Sequence, residues 1–425
     1  MQTFTFGIYS LAETKHLDIS IDVDEIDMNE HAIVQDLKQI LTGNNHTPEG
    51  TIIITQVDES HEKNLPILID EYKKLNIPQL KALPSLFLNI IKKNNFYAIT
   101  LNRQLTEEEL LSLMNRLNAM QNNLNYEDLM KQDCNLFGDL FINYHIHAND
   151  GQKKIEIGPK EKSARICRYC HKDITTTTFN NVAHTVSEAL GNKLIVTNDE
   201  CDICNDYFGK EVETALIEFV DFFRTFYGIQ GKKGKIHHKY GGNYELERKD
   251  NNSLNLKVRL TDEEIASLPK DKLDSLELCS HQEVAMQDVY RSLVKYALGI
   301  LQPEYMKEFK NTIEWLLGSR DVEQLPFVRM EILPNYVEKP KVVVMLRKSC
   351  DESLPYAVAE IHIINIRFLL LIPLCDERDK PFLENEYWER FISVFKMYKI
   401  ITWQIKDFSS KEKKKLVIDV KFQET

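Results

Sequence analysis

Two Cys-x-x-Cys pairs near the middle of the chain constrain its fold more than any other feature of the sequence. Cys167 and Cys170 form the first pair, Cys201 and Cys204 form the second, and thirty residues separate the two pairs. Each pair lets two thiolates converge on one ion, and two pairs complete a tetrahedral sulfur shell. Two disulfides or a redox dithiol fit less well, because we expect no secretory signal and a redox dithiol needs only one pair. The pairs therefore predict a structural zinc site.

The residues between and after the pairs predict a small strand–turn–strand–helix unit. A β-branched and polar stretch ends at His184, a turn follows at 190–193, and an apolar run returns through 193–197. A helix is predicted from Asn205 onward, because its apolar residues recur every three to four positions. Those apolar residues are Val212, Leu216, Phe219, Val220, Phe223 and Phe226. Zinc at both ends would hold this ββα unit together.

The pattern C-x-x-C…H…LGNK…N-x-x-C-x-x-C-N-x-x-F resembles the HNH endonucleases of the His-metal finger class, in their zinc-stapled branch. The resemblance covers roughly residues 163 to 230. It implies that His184 is the general base that activates water. It also implies that Asn198 holds the His184 ring and that Asn205 helps to bind one divalent cation, Mg²⁺ or Mn²⁺, at the scissile phosphate.

The sequence departs from this family at the position before the general base. Many members carry Asp or Glu there as a metal ligand, whereas this chain has Ala183. Glu188, one turn beyond His184, and Glu213, two turns into the predicted helix, are the candidates for the missing carboxylate. The four thiolates cannot replace it, because a Cys₄ zinc site has no open coordination position.

Basic residues near this unit are the predicted nucleic-acid contacts. Lys232, Lys233 and Lys235 lie in a glycine-rich loop after the helix, where backbone and positive charge can approach a phosphate. Arg168, inside the first cysteine pair, is the fourth predicted contact.

The length of 425 residues favours several domains. We predict an α+β, multidomain fold with a mixed α/β domain at 1–160, the zinc-stapled unit at 161–240, and a helical, then antiparallel-β, domain at 241–425. Residues 1–159 hold 23 acidic and 13 basic side chains, so they carry −10 of the net charge of −12. This acidic domain is expected to act as a regulator or sensor rather than to bind DNA.

Three local predictions test the secondary-structure reading. Thr106 and Glu109 have the spacing of a capping box at a helix start. Phe137–His147 alternates in polarity and is predicted to be a strand leading into the zinc unit. The run 411–415 (KEKKK) is predicted to be the exposed tip of a hairpin.

These features favour a metal-dependent endonuclease that hydrolyses DNA, acting in the cytoplasm as a bacterial anti-phage effector. Expected partners are DNA, a regulatory protein or nucleotide signal at the N-terminal domain, and a second copy of the chain, with no membrane association. Two alternatives remain open. One is a zinc-stapled nucleic-acid-binding module without cleavage activity, and the other is a zinc-stabilised adaptor for protein partners. Metal-dependent cleavage distinguishes the first reading from both alternatives.

Overall fold

A computed structural model describes residues 2–12, 14–21, 28–43, 50–75, 78–103, 105–149, 154–231, 234, 236, 238–248, 253–267 and 275–421. The chain divides into two compact units, Met1–Phe141 and Ile142–Thr425. Both contain helices and antiparallel strands, which confirms the predicted α+β class. Within the described residues, no helix combines the length and the apolar character needed to cross a membrane.

The first unit is a four-stranded antiparallel sheet with helices on both faces. Its strands, in the order β2-β1-β4-β3, are β1 (Gln2–Ser10), β2 (Thr14–Ile21), β3 (Ile52–Gln56) and β4 (Phe96–Leu101). Its helices are α1 (Met28–Thr42), α2 (Glu59–Glu71), α3 (Pro78–Ser85), α4 (Glu107–Asn122) and α5 (Tyr126–Asn143), which runs past the end of the unit. Leu37, Leu65, Phe87 and Ile99 lie in one buried cluster of this unit. The capping box at Thr106 and Glu109 is confirmed.

The second unit contains the cysteine pairs and most of the strands. Its strands are β5 (Tyr144–Asn149), β6 (Ile155–Ile157), β7 (Ile195–Thr197), β8 (Lys239–Tyr240), β9 (Tyr244–Arg248), β10 (Leu254–Val258), β11 (Ser275–Ala285), β12 (Val328–Ile332), β13 (Lys341–Arg347), β14 (Ala357–Ile363), β15 (Ile366–Leu371), β16 (Gln404–Lys406) and β17 (Lys413–Lys421). Its helices are α6 (Asp202–Tyr207), α7 (Glu213–Phe226), α8 (Asp262–Ser267), α9 (Met286–Gly299), α10 (Lys310–Leu316) and α11 (Trp388–Val394).

The largest sheet of this unit has six antiparallel strands in the order β16-β12-β15-β14-β13-β5. Helix α9 packs on its β13 and β14 strands and also on α7, so most of the α9 side chains are buried. A short parallel pair, β6 and β7, lies in the zinc unit, and β11 pairs separately with β17. The C-terminal part therefore combines helices with antiparallel strands, but β9, β10 and β11 come before α9, which differs from the predicted order of helices first and strands second.

The predicted boundaries at 160 and 240 do not match the division of the structure, which falls after Phe141. One buried cluster joins Cys167, Val186 and Phe208 of the zinc unit to Leu293 of α9 and Val344 of β13. A segment as short as the zinc unit buries too little apolar surface to be stable alone. It shares its core with the C-terminal segment instead.

Two local predictions are wrong in part. Residues 137–143 of the predicted strand belong to α5, where Phe137 and Phe141 meet at one-turn spacing, and only Tyr144–Asn149 is a strand. In the run 411–415, Lys413–Lys415 do not form a hairpin tip but begin β17. They pair with Glu283–Ala285 of β11, where Lys415 lies opposite Glu283.

Candidate active site and metal centre

The four paired cysteines converge on one point, as the sequence predicts. Their sulfur atoms all lie within 4.8 Å of one another, and no disulfide joins them. Cys170 Sγ and Cys201 Sγ are 3.6 Å apart, and the Cys201 backbone N–H points at Cys167 Sγ across 3.5 Å. Four converging thiolates are the donor set of structural zinc. The cluster is therefore a candidate structural metal centre with a closed coordination shell.

Crowding of the four sulfurs separates the pKa values of the Cys167, Cys170 and Cys204 thiols. Hydrogen bonding with Cys204 lowers the pKa of Cys167 to about 4. The same hydrogen bond, together with burial, raises the pKa of Cys204. Burial raises the pKa of Cys170 to about 11. The Cys167 thiolate is thus favoured, whereas the Cys170 and Cys204 thiols resist ionisation.

Backbone geometry sets each cysteine pair. The first pair lies on a tight turn in which His171 has φ +58° and donates its N–H to the Cys167 carbonyl, while the Cys167 N–H donates to Lys172. The second pair spans the first turn of α6, with Cys201 as its N-cap residue.

Asp202 connects α6 to the loop that leads toward His184. Its carboxylate accepts hydrogen bonds from the Thr178 hydroxyl and from the backbone N–H groups of Asn180 and Asn181. Burial opposes ionisation of Asp202, but these hydrogen bonds outweigh it and keep its pKa below the ordinary value. Helix α6 and the preceding loop therefore hold each other in place.

His184 lies on a very short antiparallel ladder with β7. It bridges Val196, and backbone hydrogen bonds join Thr185 to Ile195 and Thr197 to Ala183. The short first strand predicted to end at His184 is reduced to this single bridge, because residues 174–183 form turns and loop. The hydrogen bonds that the Asp202 carboxylate accepts hold part of that loop, which has no strand partner there.

Asn192, in the predicted turn, connects the two sides of this ladder. Its amide nitrogen donates to the carbonyl oxygens of Val186 and Ile195, and its amide oxygen accepts from the N–H groups of Leu194 and Ile195. With four hydrogen bonds and only 2% exposure, Asn192 acts as a structural clamp.

Gly191 beside it is required for two reasons. Its φ is +88°, and a Cβ atom there would lie 2.6 Å from the Glu338 carbonyl oxygen.

His184 and Glu188 form a polar pair on the accessible side of this ladder. His184 Nε2 lies 2.8 Å from Glu188 Oε1, and the two side chains are 18% and 25% exposed. The other ring nitrogen, Nδ1, is buried. Nε2 is therefore the ring atom directed toward the accessible side, next to a carboxylate that the sequence analysis named as a candidate metal ligand.

Glu213 has a different position from the one predicted. It is buried, and its carboxylate lies 2.8 Å from the ammonium group of Lys295 on α9. Lys295 is 1% exposed, lies 3.5 Å from Glu200, and donates to the carbonyl oxygens of His184 at 3.1 Å and Thr185 at 3.4 Å. Glu213 is therefore an internal partner of Lys295, which corrects its assignment as a metal ligand.

The charges of this buried cluster are coupled. Burial raises the pKa of Glu200 to about 7, with Glu213 acting in the same direction and Lys295 opposing it. Burial also disfavours the charged form of Lys295, but Glu200 and Glu213 outweigh this effect and raise its pKa above the ordinary value. Lys295 is therefore an ammonium ion that fixes the backbone at His184.

The two asparagines predicted for the site lie on different elements. Asn198 follows β7, two residues after the partner of His184, and its backbone N–H donates to Ile157 of β6. Its side chain contacts Glu156, whose pKa is lowered mainly by Lys154 and also by this contact. Asn205 lies on α6, is half-buried, and donates its backbone N–H to Cys201.

Of the four residues predicted to contact DNA, the structure describes only Arg168. Arg168 is 4% exposed, donates to Asp199 from both Nε and Nη2, and donates from Nη1 to the carbonyl oxygens of Leu298, Gly299 and Leu301. Its guanidinium group holds the C-terminal end of α9, so the prediction that it contacts nucleic acid is wrong. Lys232, Lys233 and Lys235 lie outside the described residues.

Sequence reasoning missed the contribution of α9 to the site. Lys295, Leu298 and Gly299 all contact the zinc unit through hydrogen bonds, and a Cβ atom on Gly299 would lie 2.5 Å from the Thr185 side chain. A lysine within the apolar run 293–298 of α9 was the available signal, because a buried lysine requires anionic partners.

Comparison with known proteins addresses the same segment. A family model described as HNH endonuclease matches residues 167–219. Searches of curated proteins and of solved structures give no match. The matched residues begin at the first ligand of the candidate metal centre, contain His184 and the second cysteine pair, and end within α7. Residues 167–219 are therefore similar to the HNH endonuclease family, and this segment contains the four-cysteine cluster.

Proposed function

We propose that this protein is a metal-dependent DNA endonuclease in which His184 is the general base. The observation that carries the proposal is the pair formed by His184 Nε2 and Glu188 Oε1 at 2.8 Å, on the accessible side of the HNH segment. Hydrolysis of a phosphodiester requires a base for the attacking water and a cation for the charge that develops on phosphate. An imidazole beside a carboxylate provides the base and a ligand for the cation in one place.

His184 would accept the proton of the attacking water at Nε2, since Nδ1 is buried. Glu188 would first have to engage the cation, because a carboxylate 2.8 Å from Nε2 otherwise accepts a hydrogen bond from that nitrogen. Histidine suits this task because its unperturbed pKa of about 6.5 leaves much of it neutral near pH 7. Lys295 holds the carbonyl oxygen of His184, and the bridge to Val196 fixes the backbone on the other side. The base is therefore positioned by rigid elements rather than by a mobile loop.

Glu188 and Asn205 are the residues that we propose to hold Mg²⁺ or Mn²⁺. Carboxylate and amide oxygens are the donors that these ions prefer. The bound cation would supply positive charge to the phosphate and its leaving oxygen. Glu188 has a second role, because a carboxylate engaged with a cation accepts the Nε2 proton less strongly, which favours the neutral ring that catalysis needs. Asn198, two residues after the partner of His184, is the residue that we propose to orient the His184 ring.

A nicking assay on supercoiled plasmid tests this function. The zinc-loaded protein is expected to nick DNA when Mg²⁺ or Mn²⁺ is added and to be inactive without them. Zinc content is measured on the same sample, so that loss of the structural ion is not mistaken for loss of catalysis. Binding of DNA without metal-dependent nicking would instead favour a non-cleaving module, for which Ala183 before the base is the supporting feature.

We further propose that this activity serves anti-phage defence, with the acidic first unit acting as a regulator or sensor. The support is the size of that unit beside a short nuclease segment, together with its concentration of negative charge. Phage plating on bacteria that express the wild type or the His184→Ala variant tests this role. Equal plating on both strains would contradict it.

A further inference from the structure

Beside the candidate metal centre lies a groove that neither the HNH match nor the sequence analysis assigned. Its cavity volume is about 400 Å³, and residues of the first cysteine turn line one wall. The opposite wall is formed by the segment that follows α9, outside the matched residues 167–219. We call this cavity the knuckle groove.

The knuckle groove combines an apolar floor with a basic rim. Ile166, Met306 and Ile313 provide the apolar side chains, and Ile166 is 59% exposed. Lys307 and Lys310 are exposed and lie on one wall, three positions apart in the chain. No salt bridge to either lysine is found in the part of the chain that the structure describes. Both ammonium groups are therefore accessible to an anion.

The remaining charges of the groove cancel one another. Arg168 and Asp199 both line the cavity, but they are nearly inaccessible to solvent and are joined at 2.7 Å. Nearby Glu308 pairs with Arg378 at 3.2 Å, and neither of them lines the groove. Apart from the cysteine cluster, of which Cys167 lines the groove, the two lysines are the charges of the lining without an opposite partner among the described residues, in a protein whose net charge is −12.

The groove is also mechanically coupled to the base. Lys295 of α9 holds His184, and the carbonyl oxygens of Leu298, three residues later, and of Leu301, just beyond the helix, accept hydrogen bonds from Arg168 in the groove wall. The helix thus joins the two places over a short distance. A ligand in the groove lies near the point where the HNH segment would act.

We propose that the knuckle groove binds the backbone of the DNA substrate beside the scissile bond, with Lys307 and Lys310 each contacting a phosphate. This proposal rests on the proposed DNA endonuclease function. An open groove with an exposed basic rim suits a long polyanion, because lysines contact phosphates without reading sequence. The apolar floor suits the sugars between successive phosphates.

The test compares DNA binding by the zinc-loaded full chain and its Lys307→Gln/Lys310→Gln variant. Fluorescence anisotropy with a labelled DNA duplex, without added Mg²⁺, gives Kd over a series of salt concentrations. Loss of two phosphate contacts is expected to weaken binding by about tenfold or more near physiological salt and to reduce the salt slope by about 1.8. Lys399→Gln/Lys406→Gln, which removes the same charge from two exposed lysines away from the groove, is the matched control.

A second measurement requires no variant. In the wild-type protein, bound DNA is expected to protect Lys307 and Lys310 from acetylation by an amine reagent, as read by mass spectrometry, and to leave Lys399 reactive. A Kd and salt slope equal to those of the control, with no protection, would overturn the groove proposal while metal-dependent nicking still supported the endonuclease. Failure of the wild type to bind DNA at all would overturn both proposals.

Discussion

The Lys295 ammonium group donates a hydrogen bond to the His184 carbonyl oxygen over 3.1 Å, although the two residues are 111 positions apart in the chain. Lys295 lies outside the segment that matches the HNH endonuclease family, and it is among the least exposed residues of the protein. The candidate general base is therefore positioned by the C-terminal segment, through a charge that Glu213 and Glu200 neutralise.

Replacement of Lys295 by Met is expected to destabilise the second unit strongly. The change leaves two buried carboxylates without their cation, and breaking a buried ion pair in this way typically costs about 3–5 kcal/mol. Urea unfolding of the zinc-loaded protein measures the loss. Adding Glu213→Gln to Lys295→Met should recover part of it, because one uncompensated charge is removed. A single variant as stable as the wild type would show that the cluster contributes little.

His184→Ala is expected to keep zinc, fold and DNA affinity but to lose cleavage. Removal of a general base typically reduces the rate by about 10²–10⁴-fold. Nicking rates with Mg²⁺, together with zinc content and DNA Kd, are measured on both proteins. His281→Ala, an exposed histidine on β11, is the matched control and should cut at the wild-type rate. Wild-type cleavage by His184→Ala would remove the general-base assignment.

Glu188→Gln is expected to raise the concentration of Mg²⁺ or Mn²⁺ needed for half-maximal cleavage and to lower the maximal rate. The amide keeps the size of the side chain but binds cations less strongly and no longer carries the charge next to His184 Nε2. A metal titration of the nicking rate measures both effects. Glu211→Gln, which removes an exposed carboxylate beyond α6, should leave the titration unchanged. An identical metal titration for Glu188→Gln and Glu211→Gln would exclude Glu188 as a ligand.

Cys170→Ser or Cys204→Ser is expected to remove the structural zinc and to unfold the HNH segment. In such sites the free energy of metal binding contributes to the free energy of folding. The apparent Tm should therefore fall together with the zinc content. Elemental analysis should find one zinc per wild-type chain. Cys350→Ser, at an exposed cysteine outside the cluster, should keep both the zinc and the Tm. A wild-type protein that is as stable without zinc as with zinc would contradict the assignment of the metal centre.

A protein consisting of residues 142–425 is expected to fold and to bind DNA more tightly than the full chain. Removal of the acidic first unit lowers electrostatic repulsion, so the difference should shrink as salt increases. The start must precede β5, because Tyr144–Asn149 pairs with β13 at the edge of the six-stranded sheet. A start at residue 155 would remove that strand and is expected to lower stability. Equal affinity of the 142–425 protein and the full chain at low salt would contradict repulsion of DNA by the first unit.

The sequence by itself determined the features that depend on short spacing. The positions of Cys167, Cys170, Cys201 and Cys204 fixed the metal centre, and the pattern between them placed His184 in an HNH segment. The capping box at Thr106 was readable for the same reason, since its two hydrogen bonds join residues three positions apart. Local chemistry of this kind is encoded within a few neighbouring residues.

Only the tertiary structure decided which charged residues lie inside the protein and which face outward. Glu188 and Glu213 were equal candidates in the sequence, yet one faces His184 at an accessible position and the other is neutralised by Lys295 in the interior. Arg168 has the positive charge expected of a DNA contact, but its guanidinium group binds carbonyl oxygens at the end of α9. These outcomes depend on α9, which begins more than 70 residues after the start of α7. The small zinc unit must share its core with that helix to exclude water.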